Sequence, residues 1–302
     1  MSYSSQEDYA YAAGLFDGEG HIDIKGSVRM AIQMTDPEPI QAMYEIFGGH
    51  VYQWPERNKS GRDIYEWRAA GWEGVMDACN AMWPYIRGKK RQLQVAMNWY
   101  DYKNSYGVNP EAKAVASNQL RSLRDPFAVP ITFDIETMGL DKKTLPMLSC
   151  SFQNGDDETS VYTVYKKTPA SDRDVIVETR DILESAPYTI GWNSLRFDIP
   201  WIQERLMKHG ERPMFLGSHD DGQDMYMEYE NVNEGGRHRR ASLKNAADAL
   251  GVADSNTHKT PIDWDKWNAA NAGDMGPDGM EYVIDHGEQD IALTKRVYNA
   301  IK

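Results

Sequence analysis

Cysteine is scarce in this chain: Cys79 and Cys150 are the only two in 302 residues. Two thiols without a Cys-x-x-Cys spacing make no disulfide framework, so a reducing cytoplasm is the expected setting and both are expected as small buried groups. No apolar run approaches the roughly 18 residues needed to span a bilayer, and the polar start Met1 to Asp8 is no signal peptide, so no membrane partner is expected. Positive charge is also in deficit, with 33 Lys and Arg against 46 Asp and Glu and a formal net charge of -13. That balance argues against a general nucleic-acid coat, but not against a nuclease, whose metal site concentrates acids and whose basic contacts are local. What is plentiful is core material: 41% hydrophobic residues, nine Trp and seventeen Tyr. The length favours two packed domains over one.

In the first third, residues 7 to 17 carry Tyr11, Ala12, Ala13, Leu15 and Phe16, a buried helix stopping at Gly18-Glu19-Gly20. His21 to Lys25 alternates as a half-buried strand, and a second strand follows at Val28 to Met34. Thr35-Asp36-Pro37 signals a helix start, and Ile40, Met43, Tyr44 and Phe47 continue at helical spacing. Val51 to Trp54 and Ile64 to Ala69 read as a hairpin around a basic loop with Arg57, Lys59 and Arg62, and helices are expected near 72 to 83 and 89 to 104. This order, opened by Ala12-Ala13-Gly14-Leu15-Phe16-Asp17-Gly18-Glu19-Gly20, resembles a LAGLIDADG homing endonuclease domain. The resemblance implies an αββαββαα domain over 1–108 that binds, and in its catalytic form cuts, duplex DNA. It implies helices that approach at Ala13, Gly14 and Gly18, and Glu19 carried to a shared axis as a catalytic metal ligand. Because only one copy of the motif is present, the implied assembly is a homodimer through that helix or a pairing with a partner domain.

Residues 109–128 are expected to be a linker containing a short helix. Beyond it, Phe133-Asp134-Ile135-Glu136-Thr137 reads as a strand whose two acids share one face while Ile135 points into a core. Such a pair is most often a solvated acidic edge, so the reading turns on whether the chain supplies further ligands. Strands are expected at Leu145 to Phe152 and Thr159 to Tyr165, a helix over Ser171 to Ala186, and a short buried strand at Thr189 to Trp192. Asn193-Ser194-Leu195-Arg196-Phe197-Asp198 then runs into a helix. Ser242 caps another, and the last helix places His286 and Asp290 four residues apart on one face.

These three segments, in order, resemble the DEDD 3'-to-5' exonucleases, nearest in flavour to family B polymerase proofreading domains. The resemblance covers about 129–302 and implies an RNase H-like mixed-sheet domain, so the whole is a mixed α/β (α+β) chain. It also implies a two-metal site for Mg²⁺ or Mn²⁺ built from Asp134, Glu136, Asp198 and Asp290. One branch of that group has a Tyr four residues before the last Asp and the other a His five before it. Here His286 stands at the Tyr spacing and is expected as the general base. Lys89, Asn193, Arg237, Arg239 and Arg240 join Arg57, Lys59 and Arg62 as expected nucleic-acid contacts. The expected substrate is DNA with single-stranded 3' ends, with RNA left open, in a phage or bacterial host cell. The alternatives are a site-specific homing endonuclease with an accessory exonuclease-like domain, and a non-catalytic DNA-binding module.

Overall fold

A computed structural model of the chain describes residues 5–25, 27–55, 61–155, 160–219, 224–226, 229, 242–253 and 262–301. It divides into two compact units, Met1–Pro126 and Phe127–Lys302.

The first unit opens with helix α1 (Gln6–Glu19), started by a capping box in which Ser5 and Asp8 satisfy each other's backbone amides. Strands β1 (Gly20–Ile24) and β2 (Val28–Met34) follow. Asp36 caps α2 (Pro37–Phe47), whose leading proline fits the first turn. Then come β3 (His50–Trp54), β4 (Ile64–Arg68), α3 (Gly71–Met82) and α4 (Lys90–Tyr106). The strands form one antiparallel sheet in the order β1-β2-β4-β3. Its alternating burial turns Ile22, Ile24, Met30, Ile32 and Trp67 into a core roofed by the helices.

The stretch expected as a linker holds a full helix, α5 (Pro110–Ser122). Asn109 caps it, and Ala112, Ala116, Gln119 and Leu120 form one buried stripe. It packs on α4 and on β1, where the Ser117 hydroxyl donates to the Ile24 carbonyl and Arg124 donates to the Ile22 carbonyl. β1 is an edge strand, and these two side chains satisfy carbonyls that no neighbouring strand reaches.

In the second unit, β5 (Ile131–Thr137), β6 (Met147–Asn154), β7 (Val161–Tyr165) and the two-residue β8 (Thr189–Ile190) form a sheet in the order β7-β6-β5-β8. Of these pairs only β5–β8 is parallel, and the long connection that parallel pairing needs contains a helix. That helix, α6 (Arg173–Ser185), and α7 (Asp198–Lys208) cover one face. Phe133, Ile135, Phe152, Trp201, Ile202 and Leu206 fill the space between. On the other face lies α10 (Met280–Ile301), packed on β5 and β6, on α8 (Leu243–Leu250) and on α9 (Trp264–Ala272). Buried Cys79 and Cys150 are free, as expected. No described helix is long and apolar enough to cross a membrane.

Candidate active site

The strand that carries Asp134 and Glu136 is central in its sheet, so both carboxylates are held by a rigid element. Ile135, between them, points to the α6/α7 core. The β5–β6 register shifts after Glu136, an irregularity of the kind that re-aims side chains beside active sites. β8 pairs with β5 only at Ile131 and Thr132. Past that point the β5 edge is taken up by α7: Asp198, its first residue, accepts a 3.2 Å hydrogen bond from the Ile135 amide through Oδ1. Asp134, Glu136, Asp198 and Asp290 all line one cavity of about 420 Å³, with Asn193, Trp192, Phe197, Tyr226 and Ser242 completing the wall.

Burial pushes the Asp198 carboxyl up to about 7; the Ile135 amide opposes the rise, and the carboxylates of Asp224 and Asp290 add to it. A carboxylate held there is costly without a cation.

The turn that presents Asp198 is held from two sides. Asp224, fully buried, accepts from the amides of Asn193 at 2.8 Å, Leu195 at 2.9 Å and Tyr226 at 3.1 Å. Asn193 has φ 56°, a left-handed conformation that Asn tolerates better than most residues. On the other side His219 Nε2 lies 2.9 Å from the Ser194 hydroxyl, while Nδ1 lies 3.1 Å from the Thr189 carbonyl. Burial lowers the His219 pKa to about 4, so the ring is neutral at pH 7 and links β8 to the turn.

α10 approaches the sheet closely because residue 287 is glycine. A Cβ there would stand 2.8 Å from the Ser151 hydroxyl and 3.5 Å from Glu136 Cγ. The approach brings His286 and Asp290 beside Glu136: all three are buried, and one ligand atom from each lies within 4.8 Å of the other two. Behind them the Trp267 ring meets His286 edge-on, with centroids 5.3 Å apart, and its Nε1 donates to the Thr137 carbonyl at 3.0 Å. Trp267 is therefore core support for this corner, whereas Trp264 is half exposed. Buried carboxylates with one imidazole form a donor set that fits a divalent cation.

Sequence reasoning named the four acids and His286. It assigned no role to Asp224, Gly287 or His219, whose partners are distant in sequence; His219 and Asp224 stand in a polar stretch, Ser218 to Asp224, where neither stands out.

In the first unit, Glu19 ends α1 and is exposed, and the positions beside Gly14 and Gly18 are open. Lys89, expected at a phosphate, has its ammonium engaged by the carbonyls of Phe16 at 3.0 Å, Asp17 at 2.8 Å and Gly18 at 3.2 Å. Arg62 is exposed beside β4. Arg57, Lys59, Arg237, Arg239 and Arg240 lie outside the described residues. The polar face of the sheet holds charges not singled out from sequence. A cavity of about 450 Å³ is lined by His21, Asp23, Lys25, Arg29, Gln33, Arg121 and Arg124. Next to it, buried Glu66 accepts from Arg68, from Arg29 at 2.5 Å and from Gln33 at 2.7 Å. Burial alone would raise the Glu66 pKa, but these hydrogen bonds outweigh it and hold the carboxyl at about 2.

No curated protein matches the chain. The solved structures similar to it include the homing endonuclease I-CvuI in complex with its target, at 19% identity and a TM-score of 0.32, covering 40% of this chain and 83% of that one. They also include the family B DNA polymerase of the archaeon Pyrobaculum calidifontis, at 14% identity and a TM-score of 0.46, covering 92% of this chain; the match spans only 44% of the polymerase. Residues 131–302, more than half of the sequence and the whole of the sheet and helices that assemble the acidic cavity, match the RNase H superfamily, and the chain belongs to that superfamily.

Proposed function

We propose that the protein is a metal-dependent 3'-to-5' exodeoxyribonuclease whose second unit performs the chemistry and whose first unit binds duplex DNA. The observation that carries this reading is the convergence of Asp134, Glu136, Asp198 and Asp290, from three distant segments, on one cavity. By the DEDD pattern Asp134, Glu136, Asp198 and Asp290 would together hold two divalent cations, Mg²⁺ or Mn²⁺, which would supply activation of the attacking water and stabilisation of the departing 3'-oxygen. The chain's own residues do the positioning. The Ile135 amide fixes Asp198, and the rings of Trp192, Phe197 and Tyr226 offer faces for a terminal base at the cavity wall. The volume suits a nucleotide-sized group. In the first unit, Lys25 and Arg121 at one cleft supply cations for a duplex backbone, beside Arg29 and Arg124, which also bond Glu66 and the Ile22 carbonyl.

The face of α1 favours a second reading. Gly14 and Gly18 leave open space, and Glu19 is exposed at the helix end. Two copies meeting there would form a site-specific homing endonuclease dimer with Glu19 at the phosphate.

A panel of 5'-labelled single- and double-stranded DNA and RNA, with Mg²⁺ or Mn²⁺, separates the two. The exonuclease reading expects a ladder from single-stranded DNA that Asp134→Ala abolishes and Glu19→Ala leaves intact; a ladder persisting in Asp134→Ala overturns it. Discrete duplex cuts lost in Glu19→Ala, from a protein that sediments as a dimer, establish the second.

A further inference from the structure

His286 sits where a ligand would sit. It is buried, and one of its ring nitrogens shares a 4.8 Å cluster with carboxylate oxygens of Glu136 and Asp290. First-row divalent ions bond nitrogen and oxygen donors at about 2.0 to 2.2 Å, so two donors to one ion lie at most roughly 4.4 Å apart. The observed cluster lies close to that limit. Two features fix the ring in place. His286 and Asp290 are one helical turn apart and project from one face of α10, the spacing by which a helix chelates a single ion. Trp267 closes the far side of the imidazole edge-on, and Gly287 lets the whole turn press toward Glu136. A general base has a different requirement: it needs only to face the attacking water, not to share the carboxylates' own space.

We infer that His286 is a direct ligand of the cation held by Glu136 and Asp290, and that this mixed set makes the site favour Mn²⁺ and other first-row transition ions over Mg²⁺. Imidazole suits the transition ions, whereas Mg²⁺ prefers carboxylate and water oxygens and gains little from a nitrogen donor. The inference rests on the metal-dependent reading above, and it replaces the proton-accepting role expected for His286.

The test uses the full chain, with Mn²⁺ and Mg²⁺ titrated by calorimetry, and electron spin-echo spectroscopy of the Mn²⁺-loaded protein. Wild type should bind Mn²⁺ at least about tenfold more tightly than Mg²⁺ and show nitrogen modulation from a coordinated imidazole. His286→Gln should lose that modulation and weaken Mn²⁺ about 10- to 100-fold while moving Mg²⁺ by no more than about threefold. Absence of imidazole coupling in loaded wild type, or unchanged Mn²⁺ affinity in a folded His286→Gln, overturns the inference; the spectrum of wild type decides even if the variant does not fold. The outcomes also separate the inference from the proposed function. Nitrogen-coordinated Mn²⁺ without turnover on any nucleic acid sinks the nuclease reading alone. Metal binding with turnover but no nitrogen coupling sinks the ligand role alone, and no metal binding at all sinks both.

Discussion

Asp224 touches no edge of the cavity, yet it governs the residue that does. Its two carboxylate oxygens hold the amides of Asn193 and Leu195, and so set the turn from which Asp198 departs. Asn is close to isosteric with Asp but offers only one acceptor, so Asp224→Asn must leave one of those amides unmet or misoriented. It is expected to lower metal affinity and kcat/KM together by about 10- to 100-fold, as loss of an outer partner of a metal ligand does. The check is to measure both against the thermal midpoint, because a purely structural role would move the midpoint and leave the metal affinity of the folded protein alone. At this scale the acids were legible because chemistry needs that residue type at that spacing. Asp224 and Gly287 were not: each acts through residues far away in sequence, and nothing in a local window marks the meeting. Lys89 was legible as a charge, but the carbonyls that occupy it belong to a helix 70 residues earlier.

That lysine belongs to the scale of elements. α1 ends with no basic residue in its last turn, and its terminal carbonyls carry the negative end of the helix dipole. The segment after α3 supplies what is missing. Lys89 caps three of the carbonyls, while the Asp17 carboxylate accepts from the amides of Arg87 and Lys89, both at 2.8 Å. Lys89→Ala should therefore cost about 1 to 2 kcal/mol through the lost charged hydrogen bonds. Lys89→Met, which keeps the stem, should recover little of it. Urea denaturation of both variants provides the measurement, and a loss of DNA affinity without a loss of stability would return Lys89 to a phosphate. The helices and strands themselves were largely readable, since Asp36-Pro37, the Gly48-Gly49 stop and the alternation in β1 and β2 are local signals. α5 was underrated because half of its buried stripe is alanine, Ala112 and Ala116, and small side chains give a weak periodic signal even when the face they form is buried.

At the scale of the molecule, two units with separate sheets and separate cores share one chain. Among the described residues only the second gathers a cluster of buried carboxylates, from α7, α10 and β5, so a bound cation should stabilise that unit and leave the other as it was. Scanning calorimetry should resolve two transitions, one of which rises with Mn²⁺. At a hundredfold excess over Kd the gain is about 2.7 kcal/mol. Asp134→Ala should abolish the rise, and a shift of both transitions together would mean that the two units unfold as one. Length and the change of pattern after residue 108 led the sequence reading to two domains, and they gave no sign that α5 would pack on α4 and β1.

The brevity of β8 has a consequence outside catalysis. A strand that pairs for two residues leaves the rest of the β5 edge without a ladder partner, and an unpaired edge would invite a strand from another molecule. Asp198 stands at that border, taking the Ile135 amide that an incoming chain would need. The turn that presents Asp198 thus also occupies the donor by which a further strand would join the sheet.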